Sequence, residues 1–451
     1  MKAPAAFWDD QSSQDAAIGG AVCFPHNGRF ENPRILLAAT LRWPLAARLA
    51  IAFRRLGCPV QAWCPAGHPL EKTQAVERIH SRGALAPLRS LAAAIRAAAP
   101  DFIIPCDDDA AIHLHHLHER SHGAGATAAA VRRLIERSLG TPASCSLAAA
   151  RGELMRLALA EGVRVPESAR LSSTADLDDW GARSGYPAVL KIDRSWGGLG
   201  VAVVRDIEQA PAAFRIATHP TMIRALSHLI LRRDPTHLLR RLSGARPAVT
   251  VQKFIAGRPA NRAVACWQGE VLAGISVVAL QTQSPTGPAT VVQVIENDEM
   301  SEAARRLVRA LGLSGFCGLD FVIEAATGAA YLIEVNPRAT PISYLALGAG
   351  QDLTAALQAR LRGKPVPQKA SAIHGDTIAM FPGEWRRDPL SPYLRTAFHD
   401  VPWAEMGLVR DCVEPPWDER GIAARIRARV NPRRPPLPPA IRSARSASPE
   451  D

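Results

Sequence analysis

Two carboxylates, an amide and a guanidinium fall in two short apolar runs, Gly318-Leu319-Asp320-Phe321-Val322-Ile323-Glu324 and Tyr331-Leu332-Ile333-Glu334-Val335-Asn336-Pro337-Arg338. Both runs read as antiparallel strands joined by a loop of residues 325–329. With that loop Asp320 stands opposite Glu334, and Asn336 shares their face two positions on. Carboxylates directly across a ladder start only about 4.5 to 5.5 Å apart and repel, so the pattern calls for a cation between them. Mg²⁺ is a hard ion that takes oxygen ligands, typically one or two carboxylates, here with an amide oxygen, plus substrate phosphates. The plainer alternative is a solvated acidic face on an edge hairpin. Arg338 speaks against it: held by Pro337 on the same face, it suits an anionic substrate or a phosphoryl group in transfer.

A second candidate is Lys191, which ends the apolar strand Ala188-Val189-Leu190 and is followed by Ser195-Trp196-Gly197-Gly198-Leu199-Gly200. Glycines let backbone N–H groups close over phosphates without interference from a Cβ. This is no Walker loop, because G-K-[ST] is missing and the turn joins two strands rather than a strand and a helix. Gly123-x-Gly125-x-x-Ala128 resembles a dinucleotide fingerprint but follows a His-rich stretch instead of a strand, and is discounted. The histidines of that stretch (His113, His115, His116, His118, His122) have no partner cluster, so a surface or packing role is expected.

The elements that must position these groups fall into two patterns. Ile35–Ala39, Pro59–Trp63 and Phe102–Pro105 read as buried strands, separated by helices from Pro44 to Gly57 and from Leu88 to Ala99. That alternation predicts a doubly wound parallel sheet ending near residue 122. Beyond it come helices 127–139 and 146–161, a helix capped by Ser173, a β-loop-β unit over 187–204, and a basic helical stretch over 207–248. Strands follow at 249–255, 263–267, 271–280 and 290–296, then helix 299–311, the acidic hairpin and helix 351–362. The expected organisation is a loose leader (1–33), an α/β unit (34–125), a mixed α+β unit (126–365), a C-terminal segment packed on it (366–430) and a disordered basic tail (431–451).

Composition bounds the rest. A chain of 451 residues exceeds one hydrophobic core, which implies two or three domains. Its formal charge of +12 comes almost wholly from arginine. Much of the excess lies between Arg425 and Arg445, among prolines, alanines and serines, which points to a solvated tail and not to a nucleic-acid-binding face. The eight cysteines are scattered without a C-x-x-C, as in a reducing cytoplasm. Asp9, Asp10 and Asp15 interrupt any signal-like apolar region, and no apolar run reaches the roughly 18 to 20 residues of a spanning helix. A soluble cytoplasmic protein without a membrane partner is expected.

In this order the parts resemble the ATP-grasp superfamily, in particular the carbamoyl-phosphate synthetase large chain, biotin carboxylase and carboxylate-amine ligases. The resemblance covers about residues 125 to 345, and its most specific piece is Asp320-Phe-Val-Ile followed by Tyr-Leu-Ile-Glu334-Val-Asn336-Pro-Arg338. It implies a Rossmann-like pre-grasp domain followed by a two-lobed ATP-grasp domain, with ATP and Mg²⁺ (or Mn²⁺) between the lobes. By the resemblance, Lys191 and Arg151 contact phosphates, and Gly197, Gly198 and Gly200 form a phosphate lid. Gln252, Lys253 and Ile255 belong to the hinge strand at adenine, Asp320, Glu334 and Asn336 hold the metal, and Arg338 faces the second substrate. The implied reaction activates a small-molecule carboxylate as an acyl phosphate for attack by an amine, and a homodimer is frequent in such enzymes. One departure stands out: Gly257-Arg258-Pro259-Ala260-Asn261 lacks the acidic residue that often meets the ribose, leaving Asn261 or Lys253 as substitutes. Three other readings follow from the same residues: a bicarbonate-activating carboxylase or carbamoyl-phosphate-forming enzyme, a nucleotide-binding regulatory module, and, on charge alone, a nucleic-acid binder. The first expects a second synthetase half or a biotin-carrier segment, which this sequence does not contain.

Overall fold

Three apolar runs and two proline-initiated helices build the first layer. The computed structural model describes residues 30–122, 125–141, 151–192, 201–218, 249–366, 371 and 373–414. In it β1 (Ile35–Ala38), β2 (Val60–Cys64), β3 (Arg78–Ser81) and β4 (Phe102–Pro105) pair in parallel in the order β3-β2-β1-β4. Pro44 and Pro87 stand first in helices Pro44–Arg55 and Pro87–Ala98, where a missing N–H costs nothing and the fixed φ favours the helix. The expected doubly wound sheet is present. Its one unforeseen strand is β3, a half-open edge with no apolar run to announce it. The strand order reverses between β1 and β4, so a crevice opens beyond their carboxyl ends.

The second sheet is smaller. Strands β5 (Ser168–Leu171), β6 (Ala188–Ile192), β7 (Val201–Val204) and β8 (Val249–Lys253) pair antiparallel in the order β5-β8-β6-β7. Helices Thr174–Ser184 and Ala210–Thr218 cover one face of it through Leu177, Trp180 and Phe214. The expected Ser173 cap is a full capping box with Asp176, which satisfies two N-terminal donors of the helix at once.

The third sheet has seven strands in the order β13-β12-β9-β10-β11-β14-β15. They are β9 (Gly257–Trp267), β10 (Glu270–Thr282), β11 (Ala289–Ile295), β12 (Gly315–Glu324), β13 (Ala330–Asn336), β14 (Thr377–Ala379) and β15 (Phe398–His399). All pairs but β14–β15 are antiparallel. Residues 377–399 therefore complete this sheet. Its back face packs Val264, Cys317 and Leu319 on helix Asp298–Ala310, whose Met300, Ala303, Ala304 and Leu307 recur at helical spacing. Its front face is divided: Ala263, Ala265, Ile275 and Phe316 join the core of the first domain, with the Phe316 ring 6.2 Å from Phe53. Farther along the strands the same face opens into a cleft.

Among the described residues no helix is long and apolar enough to cross a membrane, and the six described cysteines are buried free thiols. The leader before residue 30, the glycine turn at 193–200, most of the basic stretch (219–248) and the tail after 414 lie outside the described residues.

Candidate active site

The cleft is a cavity of about 550 Å³ between the second and third sheets, within the range usual for small-molecule sites. Lys191, Gln252, Lys253 and Ile255 line it from one side, and Asp320, Glu334, Asn336 and Arg338 from the other. Six of the twelve residues named by the resemblance are hinge or metal-site positions, and all six reach the cavity together with Lys191 and Arg338. Arg151 begins helix Arg151–Ala160, and its side chain lies outside the described residues, as do Gly197, Gly198 and Gly200. The strands that flank those glycines pair antiparallel, with Lys191 opposite Val201.

The hairpin brings the carboxylates together as the loop length predicts, but by a different route. Ile323 pairs with Ala330 and Phe321 with Leu332, one residue tighter than a simple ladder with Asp320 opposite Glu334 allows. A bulge at Ile333 restores the register, so Asp320 does face Glu334. A bulge leaves one residue out of the ladder, and here the free carbonyl of Ile333 accepts a bond of 3.3 Å from Lys191 Nζ. That bond reaches across the cleft from β6 to β13. Gly318 is needed beside it: a Cβ there would lie 2.2 Å from the Thr340 methyl group, blocking the turn that carries residues 337–340 back over the sheet.

Asp320 accepts from Asn261 Nδ2 at 2.6 Å on one oxygen and from Asn336 Nδ2 at 2.9 Å on the other. Desolvation, reinforced by Glu334 opposite, pushes its carboxyl up to about 6 despite those bonds. Asn261, offered with Lys253 as a substitute at the ribose, lies on β9 directly opposite Asp320. Its amide oxygen is buried without a hydrogen-bond partner. Two facing carboxylates and an unused amide oxygen suit a hard divalent cation better than any other ligand. Among the described residues no three His, Cys, Asp or Glu side chains form a closed cage, which leaves ligand positions for phosphate oxygens.

Arg338 is 8% exposed. Its Nε donates to Asp108 at 2.7 Å, Nη1 to the Ala339 carbonyl at 3.2 Å and Nη2 to Asn336 Oδ1 at 3.1 Å, so three of its five donors are committed. Sequence reasoning missed Asp108 and its neighbour. Asp107 accepts from Thr40 N at 2.6 Å, Thr40 Oγ1 at 2.8 Å and Leu41 N at 3.0 Å, and from Ala110 N at 2.9 Å. It thereby caps helix Asp108–Arg120 and ties the loop after β1 to the loop after β4. The available signal was Cys106-Asp107-Asp108-Asp109 directly after an apolar strand, where a doubly wound sheet places its ligand crevice.

Two opposed sheets with an acidic hairpin on one, a buried lysine strand on the other and a parallel α/β domain at the cleft mouth define a two-lobed cleft protein with a pre-grasp domain. Residues 236–341 match the model of the ATP-grasp domain. Over that stretch the chain is similar to the ATP-grasp superfamily. It is 24% identical over 240 residues to the carbamoyl phosphate synthase large chain of Rubrobacter xylanophilus, covering 49% of this chain and 20% of that one. To the D-alanine–D-alanine ligase of Albidiferax ferrireducens it is 27% identical over 198 residues, 43% of this chain and 53% of the other. The chain thus spans between a fifth and about half of the length of these relatives. The biotin carboxylase domain of Hydrogenobacter thermophilus 2-oxoglutarate carboxylase shares the fold, with a TM-score of 0.53 at 14% identity over 76% of this chain and 72% of that one.

Proposed function

We propose that this chain is an enzyme that binds ATP with Mg²⁺ in the cleft and uses the γ-phosphate to activate a carboxylate for attack by an amine or similar nucleophile. The observation that carries the reading is the Asp320–Glu334 pair. Like charges held opposite each other are costly where one of them, Asp320, is desolvated, and a cation between them offsets that cost. Support comes also from the relatives: the Hydrogenobacter domain was solved with MgADP and bicarbonate, and a D-alanine–D-alanine ligase is among the similar chains.

In the reaction a carboxylate oxygen attacks the γ-phosphorus, the bond to the bridging oxygen breaks and ADP leaves. The amine then attacks the acyl carbon, loses a proton, and inorganic phosphate departs. Mg²⁺, or Mn²⁺ in its place, would be held by Asp320, Glu334 and the Asn336 amide oxygen and would neutralise charge on the phosphate oxygens. Asn336 now turns its amino group to Asp320 and its oxygen to Arg338, so ligation through that oxygen requires the amide to rotate, which also releases one Arg338 donor. Lys191 is set to neutralise phosphates, Gln252, Lys253 and Ile255 to receive adenine at the hinge, and Arg151 with Gly197, Gly198 and Gly200 to close over the phosphates. Arg338, oriented by Asp108, keeps two donors for the anionic second substrate. Positioning and charge neutralisation account for most catalysis of phosphoryl transfer. The domain division that serves this is a pre-grasp unit of residues 34–125 and a grasp unit of residues 126–365.

Calorimetry of ADP binding with and without Mg²⁺, followed by ADP release with carboxylic acids and hydroxylamine as trapping nucleophile, tests the proposal. Metal-dependent binding and acid-stimulated release with hydroxamate formation are expected. Binding without any acid-stimulated release would favour a regulatory module, and metal-independent binding would overturn the site.

A further inference from the structure

The cavity continues past the acidic hairpin, and its chemistry changes along one row of paired residues. Glu334 faces Asp320, Asp320 faces Asn261, and Asn261 faces Val277 on β10; two residues on, Ala279 faces Val292 on β11. The charged residues that line the cavity are Lys191, Lys253, Asp320, Glu334 and Arg338, and none of them is on β10, β11 or the loop between those strands. The rest of the described lining is uncharged, including Val277, Ala279, Val292, Ile342, Met380 and, from the loop after β1, Trp43. The exposed loop between β10 and β11, closed by Gln283 N to the Pro288 carbonyl at 2.9 Å, forms its rim.

Apolar surface left facing a cavity, continuous with a charged reaction centre, is the arrangement that orients an amphipathic substrate. Resting on the proposed reaction, we infer that the carboxylate substrate is a monocarboxylic acid with an aliphatic or aromatic body, lying over Val277, Ala279 and Val292 with its carboxylate toward Asp320 and Arg338. The hinge residues and Lys191, assigned to the nucleotide, line the cavity from the second sheet and not from β10 or β11. A second carboxylate or an ammonium group on the acid would be stripped of water there without a partner.

The test uses the full chain with Mg-ATP and hydroxylamine, and compares acetate, butyrate, hexanoate, octanoate and 4-phenylbutyrate with succinate and bicarbonate. We expect kcat/KM for ADP release to rise about fourfold per added methylene, the worth of one buried CH₂, and succinate and bicarbonate to fall far below hexanoate. Ala279→Phe should move the optimum to shorter acids while the affinity for Mg-ADP, read by calorimetry, changes less than about twofold, well under the worth of one CH₂. Preference for succinate or bicarbonate, or a chain-length profile that Ala279→Phe does not move, would overturn this inference alone if Mg-dependent ADP binding is intact. Loss of that binding in the parent protein would overturn the underlying reaction as well.

Discussion

Asp320 and Asp400 hang on the same seven-stranded sheet, both largely withdrawn from water, and they are completed in opposite ways. Asp400, just beyond β15, accepts from the Tyr344 hydroxyl and from Arg48, whose guanidinium also lies 4.7 Å over the Tyr344 ring. Burial still raises its carboxyl above the ordinary range, with Arg48 and Tyr344 opposing the shift. Asp320 has two amide donors and a second carboxylate opposite, and the cation that acts on it among the described residues is Arg338, which is bound to Asp108. One cluster is closed by its own chain and joins three parts of the fold, since Arg48 comes from the first domain and Tyr344 from the segment after β13. The other sets two carboxylates face to face in a cavity, beside an amide oxygen that accepts no hydrogen bond. A buried charge neutralised by its own chain is structural, whereas paired like charges lining a cavity suit a ligand cation.

The comparison breaks most sharply under substitutions that remove charge. Glu334→Gln or Asp320→Asn should lower acid-stimulated ADP release by about 10³-fold, roughly 4 kcal/mol of transition-state stabilisation. The urea midpoint should hold or rise, because a like-charge repulsion is gone. Near-parental turnover in either variant would remove the hairpin from the mechanism. Arg48→Met should do the reverse: about 3 kcal/mol of stability lost, as expected when one partner of a buried ion pair is removed, with Mg-dependent ADP affinity unchanged once folded. Adding Asp400→Leu to Arg48→Met should return most of that loss in the same urea titration.

These two clusters also differ in how far the sequence announces them. The hairpin was legible because period two and a short loop fix which residues face each other, although the bulge at Ile333 that completes the register leaves no local trace. The parallel sheet was legible from its apolar runs and prolines. Asp108 was not, since its partner Arg338 is 230 residues away and nothing local to either predicts the pair. Asn261 is legible only as a stand-in for a ribose-binding residue, because its closeness in sequence to the hinge says nothing of its register opposite Asp320. In the structure Pro259 lies beyond the last β10 pair, Ala260 with Val278, where β9 has β12 as its neighbour and tolerates a proline. Arg48, Tyr344 and Asp400 are each ordinary in sequence and acquire meaning only through the docking of distant segments.

Acid separates the first domain from both clusters. His68 is fully buried, with Nε2 donating to the Leu41 carbonyl at 2.9 Å and Nδ1 accepting from Leu70 N at 3.0 Å. Desolvation, only partly offset by the Leu41 carbonyl, lowers its pKa to about 3. The unfolded chain, with an ordinary imidazole, binds more protons than the native one between that value and about 6.5. This part of the stability is therefore fully present above about 6.5 and is lost as pH falls toward 3, amounting to about 2 kcal/mol between pH 7.5 and 5. Urea titrations at the two pH values should show that loss, and His68→Gln should remove most of the difference.

The finest distinction between the two aspartates is the identity of one neighbour. Asn261 donates to Asp320 at 2.6 Å while its own amide oxygen has no partner, so it both favours the charged carboxylate and adds an oxygen to the cation's surroundings. Asn261→Ala removes both contributions and leaves the β9 backbone pairing in place. A hydrogen bond to a charged group contributes about 1.5 kcal/mol, so Mg-dependent ADP affinity should fall about tenfold at neutral pH. Affinity measured without Mg²⁺ should not move. An equal loss with and without the metal would mean that Asn261 serves the nucleotide directly, as its place just after the hinge first suggests. A loss confined to the metal-containing titration would put it with Asp320 and Glu334 in a cation site that the sheet leaves open on purpose, where Arg48 has closed the equivalent gap at Asp400.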